Sequence, residues 1–155
     1  MGPGKRRLPQ LRASNQTRSR GMVMTTGAFA PGRSGLVLEP TDRAPAEARC
    51  YIAKRFRELG CDDDYVARIV VTELVTNAYK HVGFGQIVVR VFQDKRDDLV
   101  VIEVRDDGTG LPVVRDEDHD ATCGRGLLLV VQLVHDWGVR QLDEEGKVVW
   151  ARCGR

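Results

Sequence analysis

The segment TELVTNAYKH, from Thr72 to His81, places two polar side chains among apolar ones. Glu73 and Asn77 are four residues apart, so on a helix they project from the same side, with Cβ atoms about 5 to 6 Å apart. A carboxylate can act as a general base, and an amide oxygen can bind a hard cation. The narrow polar strip therefore indicates a site, and an ordinary solvated side-chain pair is the alternative. Apolar residues cover most of the remaining circumference, namely Val70, Val71, Leu74, Val75 and Ala78.

The segment DDGTG, from Asp106 to Gly110, follows an apolar stretch. Gly108 and Gly110 let the backbone turn sharply and approach a planar ligand, and the Asp106 carboxylate can accept a hydrogen bond from an exocyclic amine. Asp-Gly is also a common turn signal, and the segment lacks the alternating oxygen ligands that calcium needs. Alone, the segment is a weak indication of a ligand-binding turn.

The segment GRGLLLV, from Gly124 to Val130, places glycines directly before a predicted helix. The unpaired N–H groups and the positive dipole end of a helix N-terminus suit a phosphate, and Arg125 adds a positive charge. The spacing matches neither a Walker A loop nor a GxGxxG turn after a strand. The segment therefore predicts an anion site of a different kind.

These three segments need elements that bring them together. The apolar pattern has a helical period over residues 41–59 and 62–81, and a period of two over residues 86–93 and 99–106. A third helix is predicted from about residue 126, followed by a strand pair, GVRQL and KVVWAR. Hairpin-linked strands and paired helices predict an α/β fold, a two-layer sandwich with a mixed, mostly antiparallel sheet and the helices on one face. The other face is left solvated or available to a partner.

The composition predicts one folded domain. The chain has 155 residues, 42 % of them apolar, which is enough for a single core. We predict a basic, disordered tail at residues 1–34 and one domain at residues 35–155. The tail holds seven of the 24 basic residues and no acidic ones, whereas the domain holds 17 basic and 22 acidic residues. Its glycine, proline, serine and asparagine content favours a tail over a nucleic-acid-binding arm. Met22 and Met24 are alternative candidate translation starts.

The compartment is predicted from what the chain lacks. It has neither an uninterrupted apolar run of about 18 residues nor a signal-peptide pattern, so we expect a cytoplasmic protein without a membrane association. The four cysteines form no CxxC pair, so we expect reduced thiols rather than a zinc site or a disulfide framework. These cysteines are Cys50, Cys61, Cys123 and Cys153.

Taken together, the three segments resemble the N, G1 and G2 boxes of the GHKL (histidine kinase-like) ATPase superfamily. The resemblance covers about residues 36–153. Within it, TELVTNAYKH, VRDDGTGLP, GRGLLLV and the terminal WG and GKVVWA stretches resemble the small, single-domain anti-sigma-factor serine/threonine kinases and their bacterial relatives, especially of actinobacterial type. The resemblance implies the Bergerat ATP-binding fold, with ATP and Mg²⁺ as cofactors.

The resemblance also implies roles for individual residues. Asn77 would hold Mg²⁺, Glu73 would act as the general base, and Asp106 would accept a hydrogen bond from the adenine amino group. Residues 111–123 would form a mobile lid over the phosphates. The other nucleotide-binding residues implied are Lys80, His81, Gly108, Gly110, Thr122, Gly124, Arg125, Gly126 and Leu127.

The implied function is that of an ATP-binding serine/threonine protein kinase. It would bind a sigma factor or similar client and phosphorylate a serine of an antagonist protein. One alternative is a non-catalytic, ATP-dependent protein-binding module, and another is a nucleic-acid-associated regulator that uses the basic tail. A homodimer is left open. Arg49 is a candidate for a partner-docking surface, and an ordinary exposed arginine is the alternative.

Overall fold

A computed structural model of the chain describes residues 22–29, 34–112 and 125–155, with only the backbone of Arg125. Two layers are present, one of helices and one of strands. The helices are α1 (Ala44–Glu58), α2 (Tyr65–His81) and α3 (Arg125–Leu133). The strands are β1 (Val23–Gly27), β2 (Leu36–Leu38), β3 (Ile87–Gln93), β4 (Val100–Asp106), β5 (Asp136–Leu142) and β6 (Lys147–Cys153).

The six strands form one sheet in the order β1-β5-β6-β4-β3-β2. In the described part of the chain, β1 and β5 are parallel and the other neighbours are antiparallel. Alternate residues of the central strands, such as Val89, Ile102 and Val149, share one core with Ile52 of α1 and Val71 of α2. Because strand side chains alternate between faces, this pattern places the helices on one face of the sheet. The predicted two-layer α/β sandwich with a mixed, mostly antiparallel sheet is therefore confirmed.

Strand β1 lies within the segment predicted to be a disordered tail, so the structure differs from that prediction at Val23–Gly27. The strand pairs in parallel with β5, from Val23 opposite Gly138 to Gly27 opposite Leu142. Its side chains are mostly exposed, so they leave no hydrophobic pattern in the sequence. Main-chain hydrogen bonds to the edge of β5 hold the strand instead.

The sheet face opposite the helices carries charged side chains rather than a bare apolar surface. Arg140 donates a hydrogen bond from Nη2 to Glu103 Oε1 over 2.9 Å. The guanidinium of Arg90 lies over the Phe29 ring, with its Cζ atom 3.4 Å from the ring centroid, and Arg105 approaches the same ring to 5.8 Å. Such cation–π contacts stabilise the position of an aromatic ring over a charged surface. The chain's own residue Phe29 therefore covers part of the face that the sequence left either solvated or available to a partner.

The three described cysteines are free thiols, with Cys50 exposed and Cys61 and Cys153 buried, whereas Cys123 lies outside the described residues. Among the helices that the structure describes, none combines the length and the apolar character needed to cross a membrane.

Burial of Cys153 at the end of β6 predicts a pH dependence of stability. Burial raises the pKa of its thiol from 9.0 to about 12, because the thiolate would lose its hydration. The folded chain then holds this proton more tightly than the unfolded chain. The stabilising contribution is therefore complete below about pH 9 and is lost as the pH rises toward 12, by up to about 1.4 kcal/mol per pH unit.

Denaturant unfolding of the wild type and Cys153→Ala between pH 7 and 10.5 measures this contribution. The difference in free energy of unfolding should be constant up to about pH 9 and should change above it, with the wild type losing stability faster. Cys50→Ala, at the exposed cysteine of α1, controls for the loss of a thiol as such. A difference between wild type and Cys153→Ala that stays the same at every pH would contradict the prediction.

Candidate functional site

Helix α2 carries Glu73 and Asn77 on one side, and both side chains are half-buried. A set of buried residues anchors the helix in the core. Among the described residues, neither polar side chain has a hydrogen-bond partner. A carboxylate and an amide oxygen therefore lie at the boundary between core and solvent, where they can reach a ligand. The buried residues of α2 are Ala67, Val70, Val71, Leu74, Val75 and Ala78.

The first turn of α3 lies against Glu73. A Cβ atom on residue 126 would overlap the Glu73 carboxylate, and its nearest atom would be Oε2, so glycine is what permits this approach. Leu127 and Val130 are buried in the core and fix the helix against α2. The first N–H groups of a helix have no partner within it and attract negative charge. The fold thus brings the first and third segments together, with a carboxylate at the N-terminal end of a helix.

Asp106 is the last residue of β4 and is only 3 % exposed. Its Oδ1 accepts hydrogen bonds from the Gly108 backbone N–H, at 2.9 Å, and from Lys147 Nζ, at 2.7 Å. Lys147 is the first residue of β6, is paired directly with Asp106 in the sheet register and is 6 % exposed. A buried carboxylate without a partner would be costly, and this ion pair supplies the missing charge.

Sequence reasoning missed Lys147. The two partners are 41 residues apart, and only the register of β4 against β6 brings them together. Local patterns do not encode such a register. One local signal was present, which is a lysine at the first position of the last strand, directly after Gly146.

The two glycines of the second segment differ in how strictly the packing requires them. A Cβ atom at residue 108 would lie 2.5 Å from Val82 Cγ2, 3.1 Å from Asp106 Oδ1 and 3.2 Å from Lys147 Nζ, so only a bare backbone fits beside Val82 and the ion pair. At Gly110, by contrast, a Cβ atom would meet nothing within 4 Å. Packing within the described chain therefore explains Gly108, and the role predicted for Gly110 remains a prediction about a ligand.

Asp107, next to Asp106 in sequence, has a structural role. Its carboxylate pairs with Arg105 at 2.9 Å and accepts a hydrogen bond from the Gln86 N–H at 3.2 Å. A Cβ atom on Gly85, which has φ +70°, would overlap the same carboxylate. Asp107 therefore ties the connection between α2 and β3 to the end of β4, beside the buried Asp106.

Lys80 and His81 lie in the last turn of α2 and are exposed. Within the described ranges, no hydrogen bond or ion pair joins them to the other candidate site residues. Arg49, the candidate docking residue, instead links the two long helices, since its Nη1 donates to Thr72 Oγ1 at 3.2 Å. The structure therefore gives Arg49 a role between α1 and α2 within the chain.

Part of the predicted site lies outside the described residues. This part comprises Thr122, Gly124, the Arg125 side chain and residues 113–123 of the predicted lid. Their implied roles in nucleotide binding remain predictions.

The residues present fit a nucleotide with Mg²⁺. Asn77 offers a neutral oxygen, and Mg²⁺ is usually bound by one or two protein oxygens, with phosphates and waters completing its octahedron. Within the described ranges, no group of three or more His, Cys, Asp and Glu side chains could hold a metal by itself. The absence of a Cβ atom at Gly126 lets the Glu73 carboxylate approach the first turn of α3, and the backbone N–H groups of a helix N-terminus suit a phosphate oxygen.

Replacing Gly126 with alanine tests the contact between the segments. The added methyl group must displace the Glu73 carboxylate, and we expect any turnover of ATP to fall by about 10²-fold, because small misplacements at a reacting centre have effects of this size. Stability should hold, since alanine is the better helix former. Turnover of labelled ATP and a thermal melt are the measurements. Gly154→Ala, where a Cβ atom meets nothing within 4 Å, is the control, and wild-type turnover in Gly126→Ala would contradict the contact's importance.

The family model of the histidine kinase-like ATPase domain matches residues 38–153 of the chain, which include α2, the turn after β4 and α3. A search of curated proteins finds no match. The predicted superfamily is confirmed over most of the chain: the protein belongs to the histidine kinase-like ATPase family and carries an ATP-binding domain of that type.

Proposed function

We propose that this protein is a serine/threonine protein kinase of the anti-sigma-factor type. It binds a sigma factor or similar client and transfers the γ-phosphoryl group of ATP to a serine of an antagonist protein. One observation carries the proposal: the Glu73 carboxylate is retained, half-buried, against the first turn of α3 and one helical turn from Asn77. A domain that only sensed nucleotide would not need a proton acceptor beside the phosphate site.

Phosphoryl transfer depends on positioning and on neutralising the charge of the phosphates. Asn77 would hold Mg²⁺ through its amide oxygen, and the ion would neutralise triphosphate charge when bound. The backbone N–H groups at the start of α3 would receive phosphate oxygens on the other side. The side chain of Arg125 is expected to add a positive charge, toward either the γ-phosphate or the protein substrate.

Glu73 is the proposed base. Its Oε2 atom lies against Gly126, at the end of α3 that attracts phosphate, so a serine hydroxyl attacking the γ-phosphate would pass close to it. Proton removal by a positioned carboxylate typically contributes 10² to 10⁴-fold to a rate. The hydroxyl proton would move to the carboxylate as the oxygen attacks phosphorus.

Asp106 is the proposed recognition residue for the adenine base of the nucleotide. With Oδ1 held by Gly108 and Lys147, its Oδ2 has no hydrogen-bond partner in the described part of the chain. An ionised carboxylate oxygen only accepts hydrogen bonds, so Oδ2 favours a ligand group that donates one, such as the amino group of adenine. Burial of Asp106 strengthens this selection. A nucleotide base with a hydrogen-bond acceptor opposite Oδ2 would leave that buried oxygen without a partner.

Label transfer tests the kinase. The purified protein is incubated with Mg²⁺, γ-labelled ATP and candidate antagonist proteins, and labelled serine is identified by mass spectrometry. We expect label on one antagonist with the wild type, none with EDTA, and about 10² to 10⁴-fold slower labelling with Glu73→Gln. Absence of label on every candidate, together with ATP-dependent capture of a client, would contradict the kinase and support the non-catalytic binding module.

A further inference from the structure

The proposed function uses Lys147 only to hold Asp106 Oδ1. It forms a buried ion pair with Asp106, in which 8 % of the lysine side chain and 4 % of the aspartate side chain are exposed. Both belong to the small set of buried charged residues in the described chain, with Arg90 and Glu103. A buried ion pair is weak evidence for a role in stability, because apolar residues of similar volume are often as stabilising. The location of the pair, at the turn that carries Asp106 and Gly108, indicates a role in ligand binding.

Counting donors and acceptors shows what the pair offers to a ligand. The Lys147 ammonium has three N–H donors, and it uses one for Asp106 Oδ1 at 2.7 Å and one for the Gly108 carbonyl oxygen at 3.3 Å. One N–H donor is left without a partner among the described residues. Asp106 Oδ2 is likewise left as an acceptor. The pair therefore has one donor and one acceptor left for a ligand.

Adenine presents the complementary arrangement. Its 6-amino group is a donor, and the ring nitrogens on either side of that group, N1 and N7, are acceptors. A lysine donor and a carboxylate acceptor next to each other can hold the amino group and one neighbouring ring nitrogen at the same time. The carboxylate alone would recognise only the amino group.

We propose that Lys147 is a base-specificity residue, which donates a hydrogen bond to the adenine ring nitrogen beside the amino group that Asp106 accepts from. The proposal rests on the base-reading role proposed above for Asp106. Lys147 thereby has two functions. It neutralises the buried carboxylate, and it adds a second point of recognition on the base.

The experiment compares ATP with 1-deaza-ATP and 7-deaza-ATP, each of which lacks one ring nitrogen, by calorimetric titration of the wild type with Mg²⁺. We expect one of the two analogues to bind about 10- to 100-fold more weakly than ATP, the range for a hydrogen bond from a charged donor. The weaker analogue identifies the nitrogen. Equal affinity for all three nucleotides would overturn the proposal without any variant being made.

Lys147→Met separates reading of the base from support of Asp106. If Lys147 donates to the ring, the variant binds ATP more weakly and the ratio between ATP and the sensitive analogue falls to about one. If Lys147 only neutralises Asp106, the variant weakens both nucleotides equally and the ratio stays at the wild-type value. The double variant Lys147→Met, Asp106→Asn removes both charges, so it serves where the single variant does not fold, and the ratio of about one is expected there too.

Purine riboside triphosphate, which has both ring nitrogens and no 6-amino group, separates the proposed role of Asp106 from that of Lys147. Weak binding of this analogue supports the role of Asp106, whatever the deaza analogues show. Binding equal to that of ATP would contradict base reading by Asp106 itself. Label transfer to an antagonist protein is measured with ATP alone, so it tests the kinase proposal independently of base recognition by Lys147.

Discussion

Replacing Asn77 with alanine is expected to abolish the Mg²⁺-dependent binding of ATP, with a loss of affinity of at least about 100-fold. Removal of groups that merely orient metal ligands already reduces metal affinity by about 10- to 100-fold, and Asn77 is proposed as a direct ligand. The side chain lies half-buried on α2, one helical turn from Glu73. Calorimetric titration with ATP in the presence of Mg²⁺ measures the effect.

The same titration in EDTA is the internal control for Asn77. Without the metal, wild type and Asn77→Ala should bind ATP equally weakly, because the lost interaction runs through Mg²⁺. Asn77→Asp keeps an oxygen ligand and should recover part of the Mg²⁺-dependent affinity. Thr76→Ala, at the adjacent residue of α2, controls for truncation of a polar side chain on the same helix. Wild-type affinity of Asn77→Ala for Mg-ATP would remove the metal assignment.

Replacing Glu73 with glutamine is expected to leave nucleotide binding largely intact and to lower phosphoryl transfer by about 10² to 10⁴-fold. Glutamine has nearly the same shape, so it keeps the position against Gly126. It has lost the proton-accepting carboxylate, which matters only when the hydroxyl is attacked. Single-turnover label transfer and a parallel binding titration separate the two effects.

A double-mutant cycle sharpens the test of Glu73. Gly126→Ala is expected to act by displacing the Glu73 carboxylate, so in a Glu73→Gln background it should lower transfer far less than in the wild type. Fully additive effects would mean that the two residues act independently and that the contact has no functional meaning. Wild-type turnover in Glu73→Gln alone would rule out the base.

Local patterns predicted much of this fold. The period of two in β3 and β4 and the helical period of α2 arise from contact with a core on one side, so each element shows which residues face inward. Elements that bury little leave no such pattern. Strand β1 is the example, because its residues are mostly exposed and its partner β5 follows more than a hundred residues later.

The candidate site divides in the same way. The polar strip of Glu73 and Asn77 follows from helical spacing, and the glycines after Asp106 indicated a turn at the end of a strand. The sequence pattern alone did not show whether each glycine is needed. In the structure Gly108 makes room for the Val82 side chain and the ion pair, whereas Gly110 faces open space.

By itself, the sequence determined the types of the elements, the side of α2 that carries polar groups and the three segments that mark the family. These follow from interactions between residues close in the chain, or from one-sided burial. Only the tertiary structure decided that Glu73 meets Gly126, that Lys147 pairs with Asp106 and that Phe29 lies over Arg90. Each of these contacts joins segments that are distant in the chain. The packing of α3 on α2 sets the first contact and the register of β4 against β6 sets the second, and no local pattern encodes either.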